Sequence, residues 1–534
     1  METPLPELIQ EMCQPGFYDH PVTEPIGLLQ THISYVFLTG DYAYKVKKSV
    51  NFGFLDFSDP EKRRYFCQEE LRLNRRLSPD LYLAVVPIVQ DAGHYRFARN
   101  QSAPVSAVDY AVQMRQFPQD MLLSRLFQDN QLTPQMIQAL GQLVAAFHRQ
   151  ADTNPQIQTY GSVDAIGQVD ANNYALSEPF IGHAQTQQQN DETRAFTTQF
   201  RLQHTDALTQ RQRAGKIREC HGDLHLNNVC LYNNKIQIFD CIEFSPAFRN
   251  IDTIYDMAFM VMDLAFHGRI DLANLFLNTY LEETGDYEGA GLLPLYLCMR
   301  AYIRGNVNAL SLKDRTISTA DKADLLRRSQ AYYHLAWRYA QRSPGRLLMM
   351  SGVSGSGKST IARQLAQSLN AIHIRSDAVR KHLAGIPLQQ RGDQDGASES
   401  GIYTPEMTHK TYTRLLELGL FLAQQGFVVI LDAKYDRQVL RQGVLEAAAI
   451  AHIPIHIVQC VAPTEVLRDR LQTRTGDITD ATADLLETQL ATAEPLTDQE
   501  QAIATIVRTA DSVDCSRCLE SIAGQRIQGD LGPL

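Results

Sequence analysis

The sequence predicts a two-domain protein: an α+β unit with a small β-rich lobe and a large helical lobe, then an α/β unit with a doubly wound parallel sheet. Three observations carry that expectation. The chain has 534 residues, too many for one hydrophobic core at about 150 residues per domain. Strand-like runs between Gly27 and Arg99 give way, from Pro134 onward, to helical periodicity. After Ser343-Pro344-Gly345, short apolar runs at 347–350, 372–374, 427–431, 455–461 and 503–507 alternate with helical segments, the pattern of a buried parallel sheet.

In chain order the expected organisation is a first domain over 1–342, with its small lobe at about 25–112 and its helical lobe at about 118–342. A linker at 343–346, a second domain over 347–525 and a tail at 526–534 follow. In the small lobe, a strand at 35–38 turns at Thr39-Gly40-Asp41 into a second strand ending in Lys45, Val46, Lys47 and Lys48. A helix is expected at 61–77 and an apolar strand at 108–112. In the helical lobe, Thr133 caps a helix with Pro134 at its first position, and Met136, Ile137, Leu140, Leu143, Val144 and Phe147 then share one face. A hairpin turns at Asn233-Asn234 between 229–232 and 235–239.

A net charge of -10, with 44% hydrophobic and 21% charged residues, fits a soluble globular chain and argues against nucleic acid as partner. Residues 1–14 lack the basic start of a signal peptide, and Asp256 and Asp263 interrupt the most apolar stretch, so no membrane span and a cytoplasmic location are expected. Nine cysteines scattered singly, apart from Cys515 and Cys518, exclude a disulfide framework.

The second domain opens on Gly352-Val353-Ser354-Gly355-Ser356-Gly357-Lys358-Ser359, the complete P-loop spacing between an apolar strand and a helix. Gly352, Gly355 and Gly357 let the backbone curl so that N–H groups, with those of Ser356 and the helix start, point at phosphates. Lys358 is placed to reach the β and γ phosphates, and Ser359, with Thr360 as substitute, to hold Mg²⁺. Asp377 and Asp432 stand at strand ends, where open α/β sheets bind ligands. Asp377 suits proton acceptance from a hydroxyl and Asp432 suits Mg²⁺; helix capping is the plainer role for either. Arg468, Arg470 and Arg474 fall where a closing lid would supply positive charge, with Arg470 taken for the nucleotide. These features resemble the gluconate kinase and shikimate kinase group over most of 346–510, and more distantly the zeta-toxin kinases. The resemblance implies transfer from ATP to a small hydroxylated acceptor, with a polynucleotide acceptor as the alternative; segment 385–409, with Arg391-Gly392-Asp393, lies where that group builds its acceptor site.

In the first domain His221-Gly222-Asp223 is followed by Asn228, the aspartate-to-asparagine spacing of the kinase catalytic loop. Asp223 would orient or deprotonate the acceptor hydroxyl, Asn228 would hold one Mg²⁺, and Asp240, after the hairpin, would hold metal between the β and γ phosphates. Lys45 is the choice for the α and β phosphates; Lys47, on the same strand face, competes, and Lys48 points away. Glu70 is preferred to Glu69 as the lysine's ion-pair partner, Met114 marks the adenine-binding hinge, and the turn Thr31-His32-Ile33-Ser34 replaces a glycine-rich loop. Glu243, Asp252 and Asp256 would suit a cationic acceptor, internal salt bridges being equally open. The motif resembles aminoglycoside phosphotransferases and choline or homoserine kinases, which implies a bilobal protein-kinase-like fold over about 25–340. The whole arrangement resembles the bifunctional aminoglycoside phosphotransferase/ATP-binding proteins. That resemblance implies a P-loop NTPase fold for the second domain, ATP and Mg²⁺ as cofactors of both, and small-molecule acceptors; in the alternative, one module binds nucleotide only to regulate the other.

Overall fold

A computed structural model describes residues 5–53, 55–98, 106–314, 317–341, 343–390, 401–473, 478, 486–510 and 519–520. Arg391-Gly392-Asp393, Arg474, Cys515, Cys518 and the tail 526–534 lie outside them. The chain divides into two compact units, Met1–Asp263 with Arg300–Tyr333, and Leu264–Met299 with His334–Leu534. Residues 264–299 and 334–341, which the sequence groups with the first domain, thus belong to the second unit.

In the first unit six strands form one sheet in the order Gly27–Gln30, Ser34–Leu38, Tyr42–Lys47, Asp109–Arg115, Tyr82–Asp91 and His94–Phe97. Every neighbouring pair is antiparallel. Alternation along Tyr42–Lys47 sends Tyr44 and Val46 into a core with Ile9, Met12, Phe37 and Phe97. Lys45 and Lys47 therefore share the opposite face, toward Glu70 of the helix Pro60–Asn74. Asp59 caps that helix by accepting the Lys62 N–H, with Pro60 at its first position.

The helical lobe begins with Pro134–Gln150, whose cap Thr133 accepts the Met136 N–H and whose Ile137, Leu140, Val144 and Phe147 are buried. Strands Val229–Tyr232 and Lys235–Ile238 pair antiparallel through Asn233 and Asn234, whose φ values of 50° and 58° suit a tight hairpin turn. The unit is a bilobal protein-kinase-like fold.

The second unit carries five parallel strands in the order Ile372–Arg375, Val428–Asp432, Arg346–Ser351, Ile455–Val461 and Ala504–Arg508. Leu348, Met350, Ile430 and Val458 pack with Ile361 and Leu365 of the helix Lys358–Leu369. With helices on a parallel sheet and the phosphate loop after the central strand, this is a doubly wound P-loop NTPase fold. Ile372–Arg375 is an edge strand, and the helix Ile270–Thr284 covers its start. Asn274 and Asn278 side chains donate to the Ala371 carbonyl at 2.9 and 3.0 Å, and the Asn278 oxygen accepts the His373 N–H at 2.7 Å.

Among the described residues no helix is long and apolar enough to cross a membrane, and none of the seven described cysteines is joined in a disulfide.

Candidate active sites

In the first unit, Gly222 adopts a φ of +88°, and a Cβ there would lie 2.7 Å from the Phe248 carbonyl oxygen. A larger residue at this loop position would meet backbone. Two acids of the helix Thr253–Phe266 hold the loop: Asp256 accepts the His221 and Gly222 N–H groups at 3.0 and 2.8 Å, and Asp263 accepts the Leu226 N–H at 3.0 Å. Asp256 also takes a bond from His148 at 3.0 Å. Burial alone would raise the Asp256 carboxyl; His148 outweighs it and holds the group at about 2.

Asp223 accepts from the Asn228 amide at 3.0 Å and lies 3.3 Å from His225 Nε2. The Asn227 N–H donates to His225 Nδ1, so the imidazole proton sits on Nε2 and faces Asp223. Burial pushes Asp223 up, but His225 and then Arg304 and His221 outweigh it, leaving the carboxyl far below the usual range. The group is an ionised acceptor at neutral pH.

Lys45 Nζ stands between Glu70 Oε1 at 2.8 Å and Asp240 Oδ1 at 2.6 Å. Lys47 pairs with Glu70 Oε2 at 2.6 Å and with Glu243. Both lysines therefore share Glu70, while Asp240 meets Lys45. Burial disfavours both ammonium groups, yet the surrounding carboxylates raise both pKa values, and the two lysines hold Glu70 at about 2 against its own burial. Lys48 lies over the Tyr35 ring and Glu69 pairs with Arg72. Asp240 sits at φ +63° after the hairpin, its N–H on the Tyr82 hydroxyl at 3.2 Å. Met114 is half-buried near the end of Asp109–Arg115, opposite Ala43 and Tyr82. In the turn 31–34, the Thr31 hydroxyl accepts the Ser34 N–H at 2.9 Å.

Of the two readings open for the three clustered acids, the internal salt bridges are what the fold makes. Glu243 is taken by Lys47, Asp252 by Arg211 through two bonds of 2.6 and 2.7 Å, and Asp256 by His148 and the loop backbone. Charge burial demanded internal partners for all three.

In the second unit Gly352, Gly355 and Gly357 take φ values of +139°, +79° and +86°. A Cβ on Gly352 would stand 2.5 Å from the Cys460 carbonyl oxygen and 2.7 Å from Ser356 Oγ. The loop is thus shaped as a cradle that side chains would fill. Lys358 Nζ donates to the Val353 carbonyl at 2.9 Å; burial lowers its pKa, with Asp432 foremost in opposing the shift and Asp377 also contributing. Ser359 is half-buried and Thr360 exposed in the first turn of Lys358–Leu369, and Ser356 Oγ is buried without a hydrogen-bond partner. Asp432 accepts from His373 Nε2 at 2.9 Å, which outweighs burial and holds it at about 2. Asp377 is half-buried in the first turn of Ser376–Ala384. Arg470 donates to the Gly355 carbonyl at 3.3 Å and to Thr509, whose hydroxyl donates to the Ser356 carbonyl at 2.9 Å. It therefore braces the phosphate loop, while Arg468 lies 3.6 Å from Glu487.

Sequence reasoning missed several groups. His373 shares a strand face with Arg375, a parity visible in the sequence. Arg380, three residues after Asp377 on the same helix face, is buried over the Tyr403 ring at 5.0 Å and donates to Ile402 and Thr408. Arg300 and Arg304 reach the first unit's loop from far along the chain.

Residues 347–496 match the AAA domain family. The Mycobacterium tuberculosis (strain H37Rv) protein Rv2004c is 31% identical over 471 residues, 87% of this chain and 90% of that protein. The chain belongs to the same family. The Mycobacterium bovis protein Mb2027c is a further member at the same 31% identity and coverage. Of solved structures, a sugar kinase from Janibacter sp. HTCC2649 is 24% identical, covering 34% of this chain and 94% of its own, at a TM-score of 0.26. A choline/ethanolamine kinase family protein from Mesorhizobium loti is 10% identical, covering 60% and 93%, at a TM-score of 0.35. The mycobacterial alignment extends over residues of both units.

Proposed function

We propose that the chain is an ATP-dependent phosphotransferase with two kinase-like modules, each passing the γ-phosphate to a hydroxyl of a small molecule. The observation that carries the reading is the convergence in the first unit: Lys45 spans Glu70 and Asp240, and Asn228 binds the ionised Asp223. In this reading Lys45 holds the α and β phosphates, Asn228 and Asp240 hold Mg²⁺, and Asp223 takes the acceptor proton. Met114 is assigned to the adenine.

In the second unit the positive-φ glycines, the buried Lys358 and the AAA domain match support a nucleotide site. Backbone N–H groups from Gly352 to Ser359 and the Lys358 ammonium hold phosphates, Ser359 and Asp432 hold Mg²⁺, and Asp377 receives the acceptor proton, with Arg380 one turn on to orient it. Bound Mg²⁺ offsets charge on the transferring phosphoryl group.

The test is transfer from radiolabelled ATP to a metabolite panel by the full chain and by Asp223→Asn and Lys358→Ala separately. Each substitution should remove a different set of products. If one of them leaves every product intact, the two-kinase reading fails and that module serves only to bind nucleotide.

A further inference from the structure

We propose that the acceptor of the first site is a hydroxylated anion, a small carboxylate or phosphate ester, gripped by Arg304 with Arg300 and Arg328 beside it. This rests on reading Asp223 as the group that takes the acceptor proton.

Phe259, on the helix Thr253–Phe266, is the floor of the cluster. The His225 ring meets it edge-on at 5.3 Å, and the guanidinium groups of Arg300 and Arg304 lie 4.8 and 5.9 Å from its centre. His225 is also the group 3.3 Å from the Asp223 carboxylate, so the arginines flank the base across one aromatic ring. Arg300 is anchored: it donates to the Gly222 carbonyl at 3.0 Å and to the Tyr255 carbonyl at 3.1 Å, and stacks 3.8 Å over Tyr255. It is 5% exposed, yet its Nη2 has no hydrogen-bond partner. Arg304, one turn along the same helix Leu293–Ser311, lies over Tyr332 and has a buried, unpartnered Nε. Arg328, one turn before Tyr332 on Thr319–Tyr339, has the same unpartnered Nε.

The carboxylates nearby are Asp223, Asp256 and Asp263. Asp256 lies 3.9 Å from Arg300 but already accepts from His148 and two backbone N–H groups, and Asp263 accepts the Leu226 N–H. Buried N–H groups without acceptors are costly, and a guanidinium fork is matched by the paired oxygens of a carboxylate or phosphate. A cationic acceptor would instead meet the Arg300 and Arg304 guanidinium groups, and the acids that could have received it are taken elsewhere. In transfer, the acceptor hydroxyl oxygen bonds to the γ-phosphorus, its proton passes to Asp223, and the bond from that phosphorus to the β–γ bridging oxygen breaks, releasing ADP.

The full-length Lys358→Ala protein, loaded with Mg²⁺ and a non-hydrolysable ATP analogue, is titrated calorimetrically with glycerate, glycerol phosphate, choline and ethanolamine. At least one anion should bind about tenfold more tightly than either amine, and Arg304→Gln should weaken it by about tenfold, as loss of a charged hydrogen bond does. Arg304→Lys should restore part of the loss, and Arg328→Gln should weaken the anion in a protein of unchanged melting temperature. Preferred amine binding, no anion binding, or an anion affinity untouched by Arg304→Gln and Arg328→Gln overturns the proposal. The underlying kinase reading fails separately: it falls if Asp240→Asn leaves Mg-nucleotide affinity of the Lys358→Ala protein unchanged.

Discussion

At Gly222, one absent side chain decides the shape of the first site. With φ at +88° and a Cβ destined to lie 2.7 Å from Phe248 backbone, Gly222→Ala should cost about 1–3 kcal/mol. It should also move the adjacent Asp223, so phosphoryl transfer should fall further than the melting temperature suggests; transfer kinetics beside thermal melting check this. Lys358 poses the opposite case, a buried ammonium beside a carbonyl. Its folded pKa lies below 10.5, so the unfolded chain binds the proton more tightly and stability rises with pH between the folded value and 10.5. Lys358→Met should remove that alkaline slope, raise the nucleotide-free melting temperature of the second unit and abolish its rise with ATP, all visible by scanning calorimetry over a pH series.

Lys47 joins three elements: its own strand, the helix Pro60–Asn74 through Glu70, and the segment after Asp240 through Glu243. Lys47→Met leaves buried carboxylates short of a partner and should destabilise the first unit by about 3–5 kcal/mol. Adding Glu243→Gln should recover much of that loss, which urea titration of the four proteins of the cycle measures. The pair also explains what was legible in the sequence. Strand alternation puts Lys45 and Lys47 on one face, with Lys45 the choice for phosphate; what sets the two apart in the fold is Asp240, which meets Lys45 from the other lobe. The phosphate loop and residues 221–228 were readable because each is a contiguous stretch whose spacing carries its chemistry. Arg300 and Arg304 were not, because on a helix a charge reads as solvated face until the ring beneath it, Phe259, is known. Glu243, Asp252 and Asp256 left two readings open for the same reason: clustering along the chain says nothing of the basic partners that neutralise each acid.

For the whole molecule, residues 264–299 pack as part of the second unit. Asn278→Leu should strand the His373 N–H at the edge strand and cost about 1–3 kcal/mol. A fragment beginning at residue 343 should melt well below the corresponding transition in the full chain, as calorimetry of the two would reveal. Since both halves of that unit bracket 300–333, which fold with the first, the shortest contiguous gene segment encoding the second also encodes part of its neighbour. A single crossover between genes therefore cannot move one unit whole without carrying part of the other.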